Sequence, residues 1–138
     1  MSNDQNIATG KPSPLNLAKW GGELKYLEEL DGVVAAPRFH HVVFENDYMR
    51  ILSIIIQPGE EEEIHTHNYK SALWFTDYSP CLYTEFEWDE QKNLVPARSF
   101  ILPKLTPENA IELPAEGPHT VKNVGDSLLK LYRVELKK

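Results

Sequence analysis

A chain of 138 residues with 41% apolar and 25% charged residues has the size of one domain and the composition of a globular protein, not a disordered one. Its 21 acidic residues against 14 basic ones give a net charge of −7, which excludes the basic footprint a nucleic-acid binder needs. The longest apolar runs, Val33–Ala36 and Ala72–Phe75, are too short to span a membrane, and the single cysteine, Cys81, excludes an internal disulfide and points to a reducing compartment, the cytoplasm.

Residues 1–12 are polar, contain Gly10, Lys11 and Pro12, and read as a flexible tail. They show no basic and apolar stretch of a secretory signal. Ser13-Pro14 has the chemistry of a helix start, with serine as N-cap and proline at the first helical position. That helix runs through Leu15, Leu17 and Trp20 and stops at Gly21-Gly22. A second short helix is predicted over Glu23–Leu30, with Leu24 and Leu27 on its apolar stripe and Gly32 as its stop. Residues 13–38 are therefore expected as a helical segment packed on a barrel formed by residues 39–138.

From residue 39 the pattern changes to short runs rich in Val, Ile, Phe, Tyr and Trp. Strands are predicted at His40–Glu45, Met49–Gln57, Glu63–His67, Ala72–Thr76, Cys81–Trp88, Pro96–Leu102, Ala110–Leu113, His119–Asn123 and Leu128–Leu136. Turn residues separate them, among them Asn46-Asp47, Pro58-Gly59, Ser79-Pro80 and Gly125-Asp126. Many short strands with no helix between them predict an all-β antiparallel sandwich or barrel over residues 39–138. The acidic run Glu60–Glu63 reads as a solvated loop.

The histidines carry the chemistry. His65 and His67 are two residues apart in a predicted strand, so both side chains share one face. Two imidazoles so placed reach a single ion at about 2.1 Å each. Pro58-Gly59 precedes this pair. Much later, Pro114-Ala115-Glu116-Gly117-Pro118 delivers a third histidine, His119, at the start of a strand that ends in Asn123.

These two segments resemble the paired motifs of the cupin superfamily. Gly59, His65 and His67 match the first motif, and Pro114, His119 and Asn123 match the second. The resemblance covers roughly residues 40 to 136. It implies an RmlC-like, cupin-type double-stranded β-helix (a jelly-roll barrel) that holds one divalent metal ion through His65, His67 and His119. It also implies a homodimer. The first motif's glutamate would fall at position 72 or 71, where this chain has Ala72 and Ser71. The glycine that closes that motif is missing near Tyr78 and Ser79. In the second motif the glycine is shifted by one, to Gly117. The resemblance thus implies either a three-histidine variant of the metal site or a site that has decayed.

Three neutral imidazoles leave the charge of a divalent ion uncompensated, which favours an anionic further ligand. Imidazole suits iron, nickel, zinc or copper alike. Glu63, two residues before His65, would share its face on an unbroken strand and is a candidate extra ligand or support for one. Cys81 reads as a small buried residue instead of a soft ligand. His40 and His41 point to opposite sides of their strand and read as core or surface histidines.

If position 72 faces inward, Trp74 and Thr76 do too, and Ala72 and Trp74 become pocket candidates. In Cys81–Trp88, the set Cys81, Tyr83, Glu85, Glu87 reads as the wetter face. The set Leu82, Thr84, Phe86, Trp88 reads as a core or dimer face. Tyr83 and Glu85 are pocket candidates if the polar face turns inward. The function implied is a metal-dependent enzyme on a small organic substrate, dioxygenase-like, with an isomerase next. The alternative is a barrel that binds a small molecule without turnover.

Overall fold

Two antiparallel sheets enclose the core in the computed structural model of the chain, which describes residues 28–137. The strands are β1 (His40–Glu45), β2 (Met49–Ile56), β3 (His65–His67), β4 (Lys70–Asp77), β5 (Cys81–Trp88), β6 (Leu94–Ile101), β7 (Ile111–Leu113), β8 (Glu116–Asn123) and β9 (Leu129–Leu136). One sheet has the order β1-β2-β9-β4-β7 and the other β3-β8-β5-β6. The described elements are thus all-β, apart from helical residues 28–30, a short helix α1 (Gly32–Ala35) and a 3-10 turn at Pro107–Asn109. No helix among the described residues is long and apolar enough to cross a membrane.

Alternation builds the core. In β9, Leu129, Leu131, Arg133 and Glu135 are buried while the residues between them are partly exposed. β9 pairs with β2 without a slip, from Met49↔Leu136 to Ile56↔Leu129, which sets Leu52, Ile54 and Ile56 beside Leu129 and Leu131. Phe75 of β4, Tyr83 of β5, Phe100 of β6 and Val121 of β8 complete the cluster. Each such side chain contributes roughly 1.5–3 kcal/mol by leaving water. The hinge into the site is the turn Gln57-Pro58-Gly59-Glu60. The Glu60 N–H donates to the Gln57 carbonyl at 3.0 Å, and Gly59 has φ +83°. Proline then glycine is the sequence a type II turn requires.

The nine strands stand where the sequence places them, with shifted ends. β8 begins at Glu116 rather than His119, and so carries Pro118 inside it. A bulge makes this possible: His65 pairs with His119, but His67 pairs with Glu116, so β8 has one residue more than β3 there and Pro118 need not donate to the ladder. The predicted tail 1–12 and the helix from Ser13 to Trp20 lie outside the described residues. Of the second predicted helix only residues 28–30 are described, and they are helical. Gly32 does not stop that helix; it opens α1. This segment is tied to the barrel, since Asp31 bridges to Thr66 and its carboxylate accepts from Arg50 Nη2 at 3.0 Å. The exposed large apolar residues include Val42, Val43 and Phe44 of β1. The outer face of β5, by contrast, is partly buried.

Candidate metal centre

β3 and β8 lie side by side, and their pairing sets His65 against His119. His67 follows on β3, and His40 enters from the first position of β1. All four are buried, none more than 3% exposed. Ring centroids lie 4.5 Å apart for His40 and His65, 5.0 Å for His65 and His67, and 4.4 Å for His65 and His119. Ligand atoms of His40, His65 and His67 lie within 4.8 Å of one another. His40 is the member that sequence reasoning missed. It belongs to neither motif, and the only signal for it was that alternation sets His40 and His41 on opposite sides, so that at most one of them faces the barrel. His41 is exposed.

Every one of these rings is oriented through Nδ1. The Nδ1–H groups of His40, His65 and His119 donate to the carbonyls of Ala36 (2.9 Å), Glu63 (2.8 Å) and Gly117 (2.7 Å). His67 Nδ1 lies 3.0 Å from Glu135 Oε2. A carbonyl can only accept, so Nδ1 carries the proton and Nε2 keeps its lone pair. Burial reinforces this by disfavouring the charged form. It holds His40 down at about 3, His65 and His67 well below the ordinary histidine value, and His119 below it as well.

Buried carboxylates and one guanidinium surround the imidazoles. Glu62 is 4% exposed. Its oxygens lie 3.4 Å from His40 Nε2 and 3.7 Å from His65 Nε2. Burial pushes its carboxyl well above the usual range. Glu116 accepts from Tyr83 Oη at 2.7 Å and is ion-paired with Arg133. Burial is the largest single influence on Glu116 and would raise it, but the Arg133 charge, His119 and the hydrogen bonds from Arg133 and Tyr83 together outweigh it and bring the group below its ordinary value. Arg133 also donates through Nε to Ser71 Oγ at 3.1 Å. Glu135 accepts from Arg50 Nε at 2.6 Å. Tyr83 stacks on His119, with centroids 4.6 Å apart and rings inclined by 9°. Burial raises its phenol well above 10, so it keeps its proton.

Several residues are not where alternation and spacing placed them. β4 turns Ser71, Leu73 and Phe75 inward, so Ala72 and Trp74 lie on its other face and Thr76 is exposed. Position 71 is thus the one aimed at the site. Glu63 is exposed and offers only its carbonyl. The chain bends at Ile64, so the alternation assumed for Glu63 fails and Glu62 faces the histidines instead. The acidic run is therefore not a solvated loop throughout. β5 is inverted relative to the expectation: Cys81, Tyr83 and Glu85 are its buried side. Glu85 accepts from Arg98 Nε at 2.9 Å and does not line the cavity. Cys81 is a buried thiol that burial raises to about 12, far from the thiolate a metal needs.

The four histidines, Glu62, Glu116, Arg133 and Tyr83 form the polar part of a cavity of about 60 Å3. Its remaining wall is apolar and includes Ile54, Leu73, Phe75, Leu105 and Leu131. A few convergent polar groups against an apolar wall is the usual character of a small-molecule site.

No profile of a known protein family matches this sequence, and no curated protein matches it. Solved structures do resemble the fold. A cupin domain from Bordetella pertussis is 18% identical with a TM-score of 0.53, over 72% of this chain and 92% of that one. A protein from Bacillus halodurans is 22% identical with a TM-score of 0.50, over 71% of this chain and 69% of that one. Identities this low speak for architecture alone. Two antiparallel sheets closing over a buried histidine cluster, in the architecture of the Bordetella domain, give this chain the cupin fold, a double-stranded β-helix.

Proposed function

We propose that the chain is a metal-dependent barrel protein that takes a small, largely apolar organic anion as substrate. One observation carries this reading. Four buried imidazoles have their Nδ1 atoms tied off, and Nε2 of His40 has no hydrogen-bond partner at all. A lone pair buried without a partner is unfavourable unless something fills the position. Neutral imidazoles are the protonation state that a metal ligand requires, and the donor set fits iron, nickel, zinc or copper.

Such an ion, when bound, supplies Lewis acidity at coordination positions left open to a substrate. The chain's own groups divide the remaining work. Arg133 lines the cavity with its Nε and Nη2 held by Ser71 and Glu116, and its remaining N–H groups are donors for an organic anion. Leu73, Phe75 and Leu131 receive a hydrocarbon body and exclude water. Tyr83 donates its one proton to Glu116 and so steadies the carboxylate that holds Arg133. The cupin resemblance ranks dioxygenase-type chemistry first and isomerisation next.

Elemental analysis of tag-free protein tests the reading. About one equivalent of a transition metal is expected, bound in the parent and lost in the His65→Ala/His67→Ala variant; oxygen uptake with small enolisable or aromatic acids is the next assay. A barrel that holds a small acid without turnover is the second reading, and Arg133 favours it, because a guanidinium binds a carboxylate without any metal. Protein that takes up no metal even on reconstitution would replace the first reading with the second.

A further inference from the structure

We propose that Glu62 is the carboxylate ligand of this centre, beside His40, and takes the place of the glutamate that positions 71 and 72 lack. The assignment rests on the metal reading above and adds the identity of the anionic ligand. Two donors each about 2.1 Å from one ion lie ~3.0 Å apart at a right angle and ~3.4 Å apart at the tetrahedral angle. The Glu62 oxygens lie 3.4 Å from His40 Nε2 and 3.7 Å from His65 Nε2. These are separations of neighbouring ligands. They are not hydrogen bonds, since His40 Nε2 has no partner. An imidazole lone pair facing carboxylate oxygens is repulsive unless a metal ion or a shared proton lies between them, and gaps of 3.4 and 3.7 Å are wide for a shared proton.

Glu62 is also held in place for the task. Its N–H donates to the Val121 carbonyl at 3.1 Å, and its Oε1 accepts from the Val121 N–H at 3.1 Å. β8 therefore clamps both its backbone and its side chain. His40 is seated with equal care: the Ala36 carbonyl fixes its Nδ1, and Gly32 leaves the space its ring fills. A carboxylate among the ligands lowers the net charge of a divalent centre from +2 to +1. That supplies the compensation three histidines alone do not provide.

The test is cobalt(II) binding by the full chain, read by visible absorption and by competition with a chelator. Glu62→Gln keeps the acceptor for the Val121 N–H and changes only the charge. It is expected to weaken cobalt(II) at least ~10-fold and to shift the ligand-field bands. Glu62→Asp should recover part of the affinity with bands of its own, and Glu63→Gln should change neither readout. Circular dichroism and melting establish that each variant is folded. If Glu62→Gln fails to fold, Glu62→Asp decides: parental bands and parental affinity overturn the assignment. A folded Glu62→Gln that matches the parent in both readouts overturns it too and leaves the metal centre standing. A parent that binds no cobalt(II) overturns both.

Discussion

Gly32 owes its identity to a histidine on the next strand. A β-carbon there would lie 2.9 Å from both Cδ2 and Nε2 of His40, and 3.2 Å from Cδ2 of His65. Such contacts force one ring to move. Gly32→Ala is therefore expected to reduce metal affinity about tenfold, as disturbing a ligand's support does. Stability should fall by no more than ~2 kcal/mol, because the ~1 kcal/mol gained in helix propensity offsets part of the ~1–3 kcal/mol the clash costs. Metal titration and urea unfolding on the same variant check this. Unchanged affinity would mean that the His40 ring yields freely and is not a ligand. Gly32 reads from the sequence as a helix stop because nothing local reveals a contact made across a turn and a strand start.

Strand positions were legible because each run carries its own period and its own turn residues, as Pro58-Gly59 and Gly125-Asp126 do. Facing was less legible. β4 has alternating apolar residues on one side and Ala72 and Trp74 on the other, so either side reads as a core. β5 misleads because its buried side includes Tyr83, which donates to Glu116, and Glu85, which accepts from Arg98 through Oε1 while its Oε2 is buried without a partner. Glu63 stands out only on the assumption of a straight strand, and the bend at Ile64 exchanges it for Glu62. Asn123 shows a different limit. It matches the second motif, yet its work is structural. Its Nδ2 donates to the carbonyls of Ile56 and Ser127, and its Oδ1 accepts from Ser79 Oγ and the Gly125 N–H. Asn123→Ala strands four buried or part-buried groups at the end of β8. It should lower stability by about 3 kcal/mol while the folded fraction keeps its full metal content. Loss of metal from folded Asn123→Ala would assign this residue to the site itself.

A barrel that buries this many ionisable groups must feel pH throughout. Burial holds all four histidines below their ordinary value of 6.5. Between that value and each folded value the unfolded chain binds more protons. Their contribution to stability is thus complete above pH 6.5 and is lost as pH falls. His40, with a folded value of about 3, accounts for about 2 kcal/mol between pH 7 and pH 5. Glu62 and Glu135, raised chiefly by burial, act the other way, stabilising below 4.5 and losing that as pH rises. Glu116, lowered despite burial by Arg133, joins the histidines. Four imidazoles against two carboxylates leave the metal-free protein less stable at pH 5 than at pH 7. Urea unfolding at the two pH values reads this out, and higher stability at pH 5 would contradict a cluster of neutral imidazoles.

The decisive measurement is diffraction from crystals of cobalt- or zinc-loaded protein, collected at the absorption edge of the metal. One anomalous peak is expected inside the barrel, among the four histidines, within coordination distance of Nε2 of His40 and of His65 and of a Glu62 oxygen. A barrel with no peak, or peaks only at surface residues, would contradict a metal centre in this fold.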